Sequence, residues 1–291
     1  MEHRNEYPLS MFCKVLNVSR SGYYNWIRNS LSQRKIEEQR YLLLIKKHYE
    51  QSKKRYGFLR IYNGIRRSGE LVNKKRIYRI MRKYGIYSVT RKKFKVTTKQ
   101  GSSACFSENL LNGNFQTTGL NQVWTSDITY IYTVEGWMYL AVILDIYNRE
   151  VIGWALEQRI TTELVIKAFT KAVMKRKTGL GVIFHSDRGS QYTSYKFRGI
   201  LSHYGFRQSM SGKGNCYDNA ITETFFSTFK KELIYLEEFK TREKLIGSVF
   251  EFIEIYYNRQ RLHSSLRYFS PVDFLEKELK GKQEVIKSEV A

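Results

Sequence analysis

The feature that most constrains the fold is a run of ten residues, Gly136–Asp145 (GWMYLAVILD). It is almost continuously apolar, the pattern of a strand buried on both faces. Val123–Tyr132 (VWTSDITYIY) before it alternates β-branched and aromatic residues. Tyr147-Asn148-Arg149 after it is a turn, and Glu150–Leu156 is a third strand. The short spacings predict an antiparallel three-stranded meander. A helix follows over Thr161–Arg176, with Leu164, Val165, Ala168, Phe169, Ala172 and Val173 as its apolar stripe. A short strand at Gly181–His185, a helix at Tyr195–Tyr204, a short strand at Phe206–Gln208 and a long helix at Asp218–Leu236 complete the pattern. This order predicts an α/β fold, a mixed sheet with helices packed on it.

The region ahead of the sheet differs in charge. The chain has 291 residues and a formal net charge of +23. Residues 1–118 hold 26 Lys+Arg and 7 Asp+Glu, while residues 119–291 hold 24 and 20. A foldable chain whose excess charge sits in its front part suits a polyanion, nucleic acid first and an anionic membrane surface second. The front part reads as helical. In Leu9–Trp26 two apolar clusters flank a turn at Asn17–Gly22, resembling a helix-turn-helix. Residues 33–50 form a longer amphipathic helix. Val72–Tyr84 places Ile77, Ile80, Met81 and Tyr84 at helical spacing, and Lys74, Lys75, Arg76, Arg79, Arg82 and Lys83 crowd the rest of its surface without a single acid. These six are the expected DNA contacts, and Arg91–Lys95 (RKKFK) adds a further basic cluster. The expected organisation is a basic helical DNA-binding region at 1–95, a linker at 96–119, a catalytic core with a C-terminal helical segment at 120–275, and a charged tail at 276–291.

Other classes are excluded by what the composition lacks. Cys13, Cys105 and Cys216 are odd in number and far apart, so they offer neither a disulfide framework nor a Cys-x-x-Cys metal pair. No apolar window of membrane-spanning length exists, and the N-terminus has no apolar core of a signal peptide. A cytoplasmic protein that acts away from membranes is expected.

Three carboxylates stand out. Asp127 lies in the middle of the first predicted strand, where an unpaired acid is costly and something must compensate it. Asp187 follows the fourth strand, in a polar loop (His185-Ser186-Asp187-Arg188-Gly189-Ser190) of the kind that presents side chains to ligands. Glu223 sits on the last long helix. Ile221, Phe225, Phe229 and Leu233 form that helix's core face, and Lys230 lies two turns after Glu223, nearly in line with it. Two Asp and one Glu are hard oxygen donors, suited to Mg²⁺ or Mn²⁺ rather than zinc. Two such ions clamp the attacking and leaving oxygens of an in-line phosphoryl displacement, and the nearby lysine suits a phosphate backbone.

With these residues in view, the chain resembles the DDE-type transposases of the insertion-sequence-three family, specifically the second-reading-frame product with an integrase core. Four motifs carry the resemblance: Trp124-x-x-Asp127-Ile128-Thr129-Tyr130; His185-Ser186-Asp187-Arg188-Gly189-Ser190-Gln191-Tyr192; Ser209-Met210-Ser211 through Asp218-Asn219-Ala220-x-x-Glu223 to Phe225-Phe226 and Lys230; and Tyr257-Asn258-x-x-Arg261-x-His263-Ser264-Ser265-Leu266. They come in the family's order, with 35 residues between Asp187 and Glu223. The resemblance implies a ribonuclease-H-like mixed five-stranded sheet of order 3-2-1-4-5 behind an all-helical basic region. It implies Asp127, Asp187 and Glu223 as catalytic residues and ligands of two Mg²⁺ or Mn²⁺ ions, and Lys230 as a DNA contact. It implies cleavage at element ends and 3′-hydroxyl strand transfer into double-stranded DNA by a homo-oligomer in the bacterial cytoplasm, associated with the nucleoid. The upstream-frame product of the same element is a further expected partner. The alternative is an element-end DNA-binding regulator or partner subunit without catalysis of its own.

Remaining candidates have plainer readings. Asp145 is a turn former, and His185 a hydrogen-bonded strand-end residue. Ser186 and Ser190 lack a nucleophile elbow around them. Gly212-Lys213-Gly214-Asn215 is a loop beside the site and does not match a P-loop. Asn258, Arg261 and His263 either position DNA or cap a helix, and Arg261 is counted with the DNA contacts.

Overall fold

The computed structural model describes residues 8–28, 32–90, 107–212 and 220–290, with side chains as far as 281. The expectations for Arg91–Lys95, the first part of the linker, Lys213–Asn215 and Asp218-Asn219 lie outside these residues. The chain divides into two compact units, Met1–Ser88 and Val89–Ala291.

The first unit is helical: α1 (Leu9–Val15), α2 (Arg20–Arg28), α3 (Gln33–Gln51), α4 (Phe58–Arg67) and α5 (Lys74–Lys83). The turn expected between the first two is present, with Asn17 at φ 50°, yet α2 buries none of its residues. The core of the unit is built by the three later helices, where Ile45, Ile61, Ile65 and Ile77 are fully buried and Ile80 and Met81 nearly so. Asn73 caps α5, its side chain accepting from the Lys75 N–H at 2.8 Å.

The second unit is built on strands β1 (Val123–Thr133), β2 (Gly136–Asp145), β3 (Val151–Glu157), β4 (Ile183–Ser186) and β5 (Arg207–Met210), in the order β3-β2-β1-β4-β5. The first three pair antiparallel, and β4 and β5 join as parallel neighbours. This is the ribonuclease-H-like topology expected. The apolar run of β2 sits between β1 and β3, with Leu140, Ala141, Val142, Ile143 and Leu144 all fully buried. One face of the sheet is covered by α6 (Thr162–Lys175), α7 (Ser190–Thr193) and α8 (Tyr195–His203), around Trp124, Phe169, Phe184, Tyr192 and Phe197. Contact there is close: a Cβ on Gly153 of β3 would lie 2.3 Å from the Ala168 carbonyl oxygen. A glycine is what lets α6 approach the strand backbone.

The other side of the unit carries α9 (Ala220–Phe229), α10 (Arg242–Phe250) and α11 (Pro271–Val290). The helix expected to run unbroken to Leu236 instead widens into a π-helical turn at Lys230–Ile234, and a second π-helical stretch, Glu251–Tyr257, continues α10. Asn258 then reaches back to β3, donating to the Val151 carbonyl at 2.9 Å and accepting from the Val151 N–H at 3.0 Å. Two segments differ from the expected organisation. Residues 107–119 are not free linker: Leu110 N–H donates to Ser209 Oγ at 3.0 Å, Met210 N–H donates to the Glu108 carbonyl, and Leu111 packs with Val123, Ile146 and Ile221. The segment 276–291, expected as a tail, continues helix α11 as far as Val290.

Candidate active site

Strand register places the carboxylates. Thr125 of β1 is the partner of His185 in β4, and Asp127 and Asp187 each follow that pair by two residues, Asp127 still within β1 and Asp187 in the loop just past the end of β4. β4 ends at Ser186 and pairs with β1 only over Val123–Thr125. Beyond that point the β4-side edge of β1 is open, and Asp127 is the first residue of the opening that shares a face with Thr125. Helix α9 is pinned over the same face: Thr125 and Thr222 share a hydroxyl hydrogen bond of 2.8 Å, both residues being buried. Glu223, the next residue, is thereby carried to the opening and stays exposed. On the opposite face Ser126 bonds the Tyr192 hydroxyl at 2.8 Å, fixing α7 and the loop that bears Asp187.

Asp187 and Glu223 both act on Asp127. Burial pushes the Asp127 carboxyl up from 3.8 to about 7, helped by the charges of Asp187 and Glu223, against the pull of the Ile128 N–H and of Lys230. The Ile128 N–H donates to Asp127 Oδ1 at 2.7 Å. Asp187 is also raised, by the protein atoms around its carboxyl, although the residue as a whole is solvent-exposed; the Gly189 N–H opposes the shift, donating to Oδ1 at 3.0 Å. The cost foreseen for an acid in a central strand is therefore present and only partly offset by protein groups. Lys230 lies on the π-helical turn with its ammonium 5.4 Å from the Tyr130 ring centre, close enough to act on Asp127. Among the described residues no three His, Cys, Asp or Glu side chains are grouped tightly enough to hold a metal ion by themselves. The donors are nevertheless of the right kind: acid oxygens from three elements, with excess negative charge that a hard divalent cation would relieve. Mg²⁺ characteristically takes only one or two carboxylates, filling its other positions with water and substrate phosphate.

Arg261 departs from its expected role. It is 5% exposed, and its guanidinium donates to both Glu232 oxygens, at 2.9 and 2.8 Å. The Tyr256 hydroxyl donates to the same carboxylate at 2.9 Å. This buried ion pair ties the π-helical turn after α9 to the segment after α10, so Arg261 is a structural residue and is withdrawn from the DNA contacts. His185 is fully buried, with Ser209 Oγ 2.9 Å from Nδ1 and Ser211 Oγ 3.3 Å from Nε2, the hydrogen-bonded role expected of it. Asp145 accepts from the Asn121 and Tyr147 N–H groups, a turn former as expected.

In the first unit, α5 presents Lys74, Lys75, Arg79, Arg82 and Lys83 to solvent, with Arg76 half-buried. Two of the six cations meet acids that the local sequence did not show. Arg76 pairs with Glu37 at 2.7 Å and Lys83 with Glu38 at 2.5 Å, both acids belonging to α3. Their charge is partly answered within the unit, whereas Lys75, Arg79 and Arg82 extend the exposed basic face.

Known proteins resemble this chain over most of its length. A family model described as integrase core domain matches residues 118–216, and a second so described matches 223–279. An HTH-like domain model matches 35–94, which is α3 to α5 rather than the turn at Asn17. A transposase, InsF for insertion sequence IS3A of Escherichia coli (strain K12), is 39% identical over 96% of this chain and 97% of its own. The insertion element IS600 uncharacterized 31 kDa protein of Shigella sonnei is 42% identical over 91% of this chain and 97% of its own. A solved HTLV-2 integrase catalytic core domain in complex with magnesium covers 55% of this chain and 99% of its own, at 15% identity and a TM-score of 0.43. With relatives 39% and 42% identical over nearly their whole length and integrase-core models matching on both sides of residue 220, the chain belongs to the integrase-core transposases of the insertion-sequence-three (IS3) family.

Proposed function

We propose that this transposase cuts DNA at the ends of its element and joins the freed 3′-hydroxyl to target DNA, using Asp127, Asp187 and Glu223 with two divalent ions, Mg²⁺ or Mn²⁺. The observation that carries the proposal is the convergence of the Asp187 and Glu223 charges on Asp127 at the open edge of β1, beside Lys230. Bound ions would supply activation of water and then of the 3′-hydroxyl, and would neutralise charge at the phosphate. The protein's own part is positional. β1 and β4 hold the two aspartates at one end of the sheet, α9 brings Glu223 over them through the Thr125–Thr222 bond, and Lys230 offers a cation to the backbone of the strand being cut. With a carboxyl near 7, Asp127 gives up a proton when a cation binds at neutral pH, so cation affinity rises with pH. The exposed cations of α5 (Lys74, Lys75, Arg79, Arg82 and Lys83) hold double-stranded DNA through its phosphates. Because two ends must be joined, the working unit is an assembly of at least two copies on DNA, in the bacterial cytoplasm at the nucleoid.

The test is incubation of the purified chain with labelled element-end DNA and Mg²⁺, alone and with the upstream-frame product. Strand-transfer products are expected, and Asp187→Asn abolishes them while retaining DNA binding. Undiminished products in that variant would overturn the assignment of the site, and DNA binding without products under every condition would favour an end-binding regulator.

A further inference from the structure

The β1–β2 hairpin carries three large rings that stand partly in solvent. Tyr130, Tyr132 and Trp137 are 41%, 61% and 48% exposed. Tyr132 and Trp137 are direct cross-strand partners, and Tyr130 lies two residues further along the same face. The rings meet edge to face, with centroid distances of 5.3 Å for Tyr130–Trp137 and 5.1 Å for Tyr132–Trp137. Cross-strand aromatic pairs stabilise a hairpin, but three in one exposed patch also form an apolar surface in need of an occupant.

The surroundings identify that occupant. Lys230 stands over the Tyr130 ring at 5.4 Å and also acts on Asp127, so the patch adjoins the carboxylates around the open edge of β1. More basic residues lie at the hairpin tip. The Phe239 carbonyl accepts from the Val134 N–H, which places the exposed Lys240 beside it, and Arg242 donates to the Glu135 carbonyl at 2.7 Å. The Glu135 carboxylate is itself engaged by the Arg242 N–H. Aromatic faces flanked by cations are the chemistry that holds single-stranded nucleic acid, with bases on the rings and phosphates on the cations. Paired bases inside a duplex have both faces covered by their neighbours, so unpaired bases are what such rings take. Tyr130 is three residues from Asp127, about 10 Å or about three base steps along the strand, and by alternation its ring is on the face opposite the Asp127 carboxylate; Lys230, at the ring and acting on Asp127, links the two around the open edge of β1.

We propose that Tyr130, Tyr132 and Trp137 form a stacking platform for unpaired bases of the DNA strand whose phosphate is held at the carboxylates, with Lys230 gripping the backbone between the two sites. The platform gives the enzyme a preference for element ends that are frayed or readily opened within a few nucleotides of the cut. This rests on the reading of Asp127, Asp187 and Glu223 as a DNA-cutting site.

The test compares two DNA ends of identical sequence, one fully paired and one with three unpaired nucleotides, each carrying 2-aminopurine three nucleotides from the cleavage position. Binding is measured in an Asp187→Asn background, so that it is read without chemistry; strand transfer by the otherwise unchanged chain, assayed separately, tests the cutting site. The unpaired end is expected to bind more tightly and to show quenched 2-aminopurine fluorescence. Tyr132→Leu and Trp137→Leu are each expected to weaken its binding about tenfold, the scale of one lost base–aromatic stack, and to leave the paired end unaffected. Tyr132→Phe, which keeps the ring, is expected to retain both the preference and the quenching. Equal loss on both ends, or no loss on either, would overturn the platform. So would loss of self-association in the DNA-free leucine variants, which would give the patch to a second copy of the chain.

Discussion

Replacing Asp127 by asparagine should make the cation-free protein more stable at alkaline pH. Folding moves the Asp127 carboxyl from 3.8 to about 7, so the folded chain binds this proton more tightly than the unfolded chain. Below about pH 4 both states are protonated and the group contributes nothing to the pH dependence. As pH rises from about 4 to 7 the unfolded chain ionises first and stability falls, and above pH 7 the penalty is complete. A carboxyl shifted this far costs up to about 4 kcal/mol, of which roughly 3 kcal/mol falls between pH 5 and pH 8. Asp187 moves in the same direction, so the two reinforce one another. The assay is urea unfolding at pH 5, 6, 7 and 8 in the presence of chelator, for the wild type and for Asp127→Asn. Other titrating groups, such as His48, which burial pulls down, are common to both chains and cancel in the difference. The variant should gain on the wild type by a few kcal/mol at pH 8 and little at pH 5, while losing catalysis. Millimolar Mg²⁺ should restore wild-type stability at pH 8 and do far less for the variant. Parallel stability curves for the two proteins from pH 5 to 8 would refute the reasoning, since they would mean that Asp127 carries no extra proton in the folded state.

Further expectations concern the scaffold and the basic face. Glu232→Ala strands the Arg261 guanidinium in a buried site, and should destabilise the fold by about 3–5 kcal/mol in chemical denaturation; a change below 1 kcal/mol would contradict the structural role given to Arg261. Gly153→Ala drives a methyl group into the Ala168 carbonyl and should lower the melting temperature, with a loss of about 1–3 kcal/mol. Asn258→Ala leaves the Val151 N–H and carbonyl without these partners, and about 1–3 kcal/mol for each unsatisfied group is expected in the same measurement. In DNA-binding titrations against salt, Lys75→Ala, Arg79→Ala and Arg82→Ala should each shallow the log–log slope by nearly one. Glu37→Gln, which releases Arg76, should not weaken binding.

Much of the site was legible because it is local. Asp127 in the middle of a predicted strand, Asp187 at a strand end and Glu223 off the core stripe of its helix are each visible from alternation and helical spacing. What escaped was pairing across the fold. The helix Val72–Tyr84 read as a face without acids, yet α3 supplies Glu37 and Glu38 to two of its cations. Arg261 read as a DNA contact because its partner Glu232 is 29 residues away, on a helix whose phase shifts at the π-helical turn. Residues 107–119 read as linker because their polar composition hides contacts made mainly through backbone groups, to Ser209 and Met210 of β5. The two expected helices at Leu9–Trp26 are present, but the HTH-like match falls on α3 to α5, the segment with the buried isoleucines.

The amino-acid order alone determined the elements of the catalytic unit, its sheet class, the uneven charge and the three acids, because apolar periodicity and strand-end polarity are properties of neighbouring residues. Only the tertiary structure decided which charges remain available. Register sets Asp127 two residues past the last β1–β4 pair and Asp187 just past the end of β4, a hydroxyl bond between Thr125 and Thr222 carries Glu223 to the same opening, and burial with the charges of Asp187 and Glu223 raises the proton affinity of Asp127. Arg261 is consumed by Glu232 in the interior while Tyr132 and Trp137 stay in solvent. The physical reason is that charge and exposure depend on what lies within a few ångströms in space, and a chain brings those groups together only when it folds.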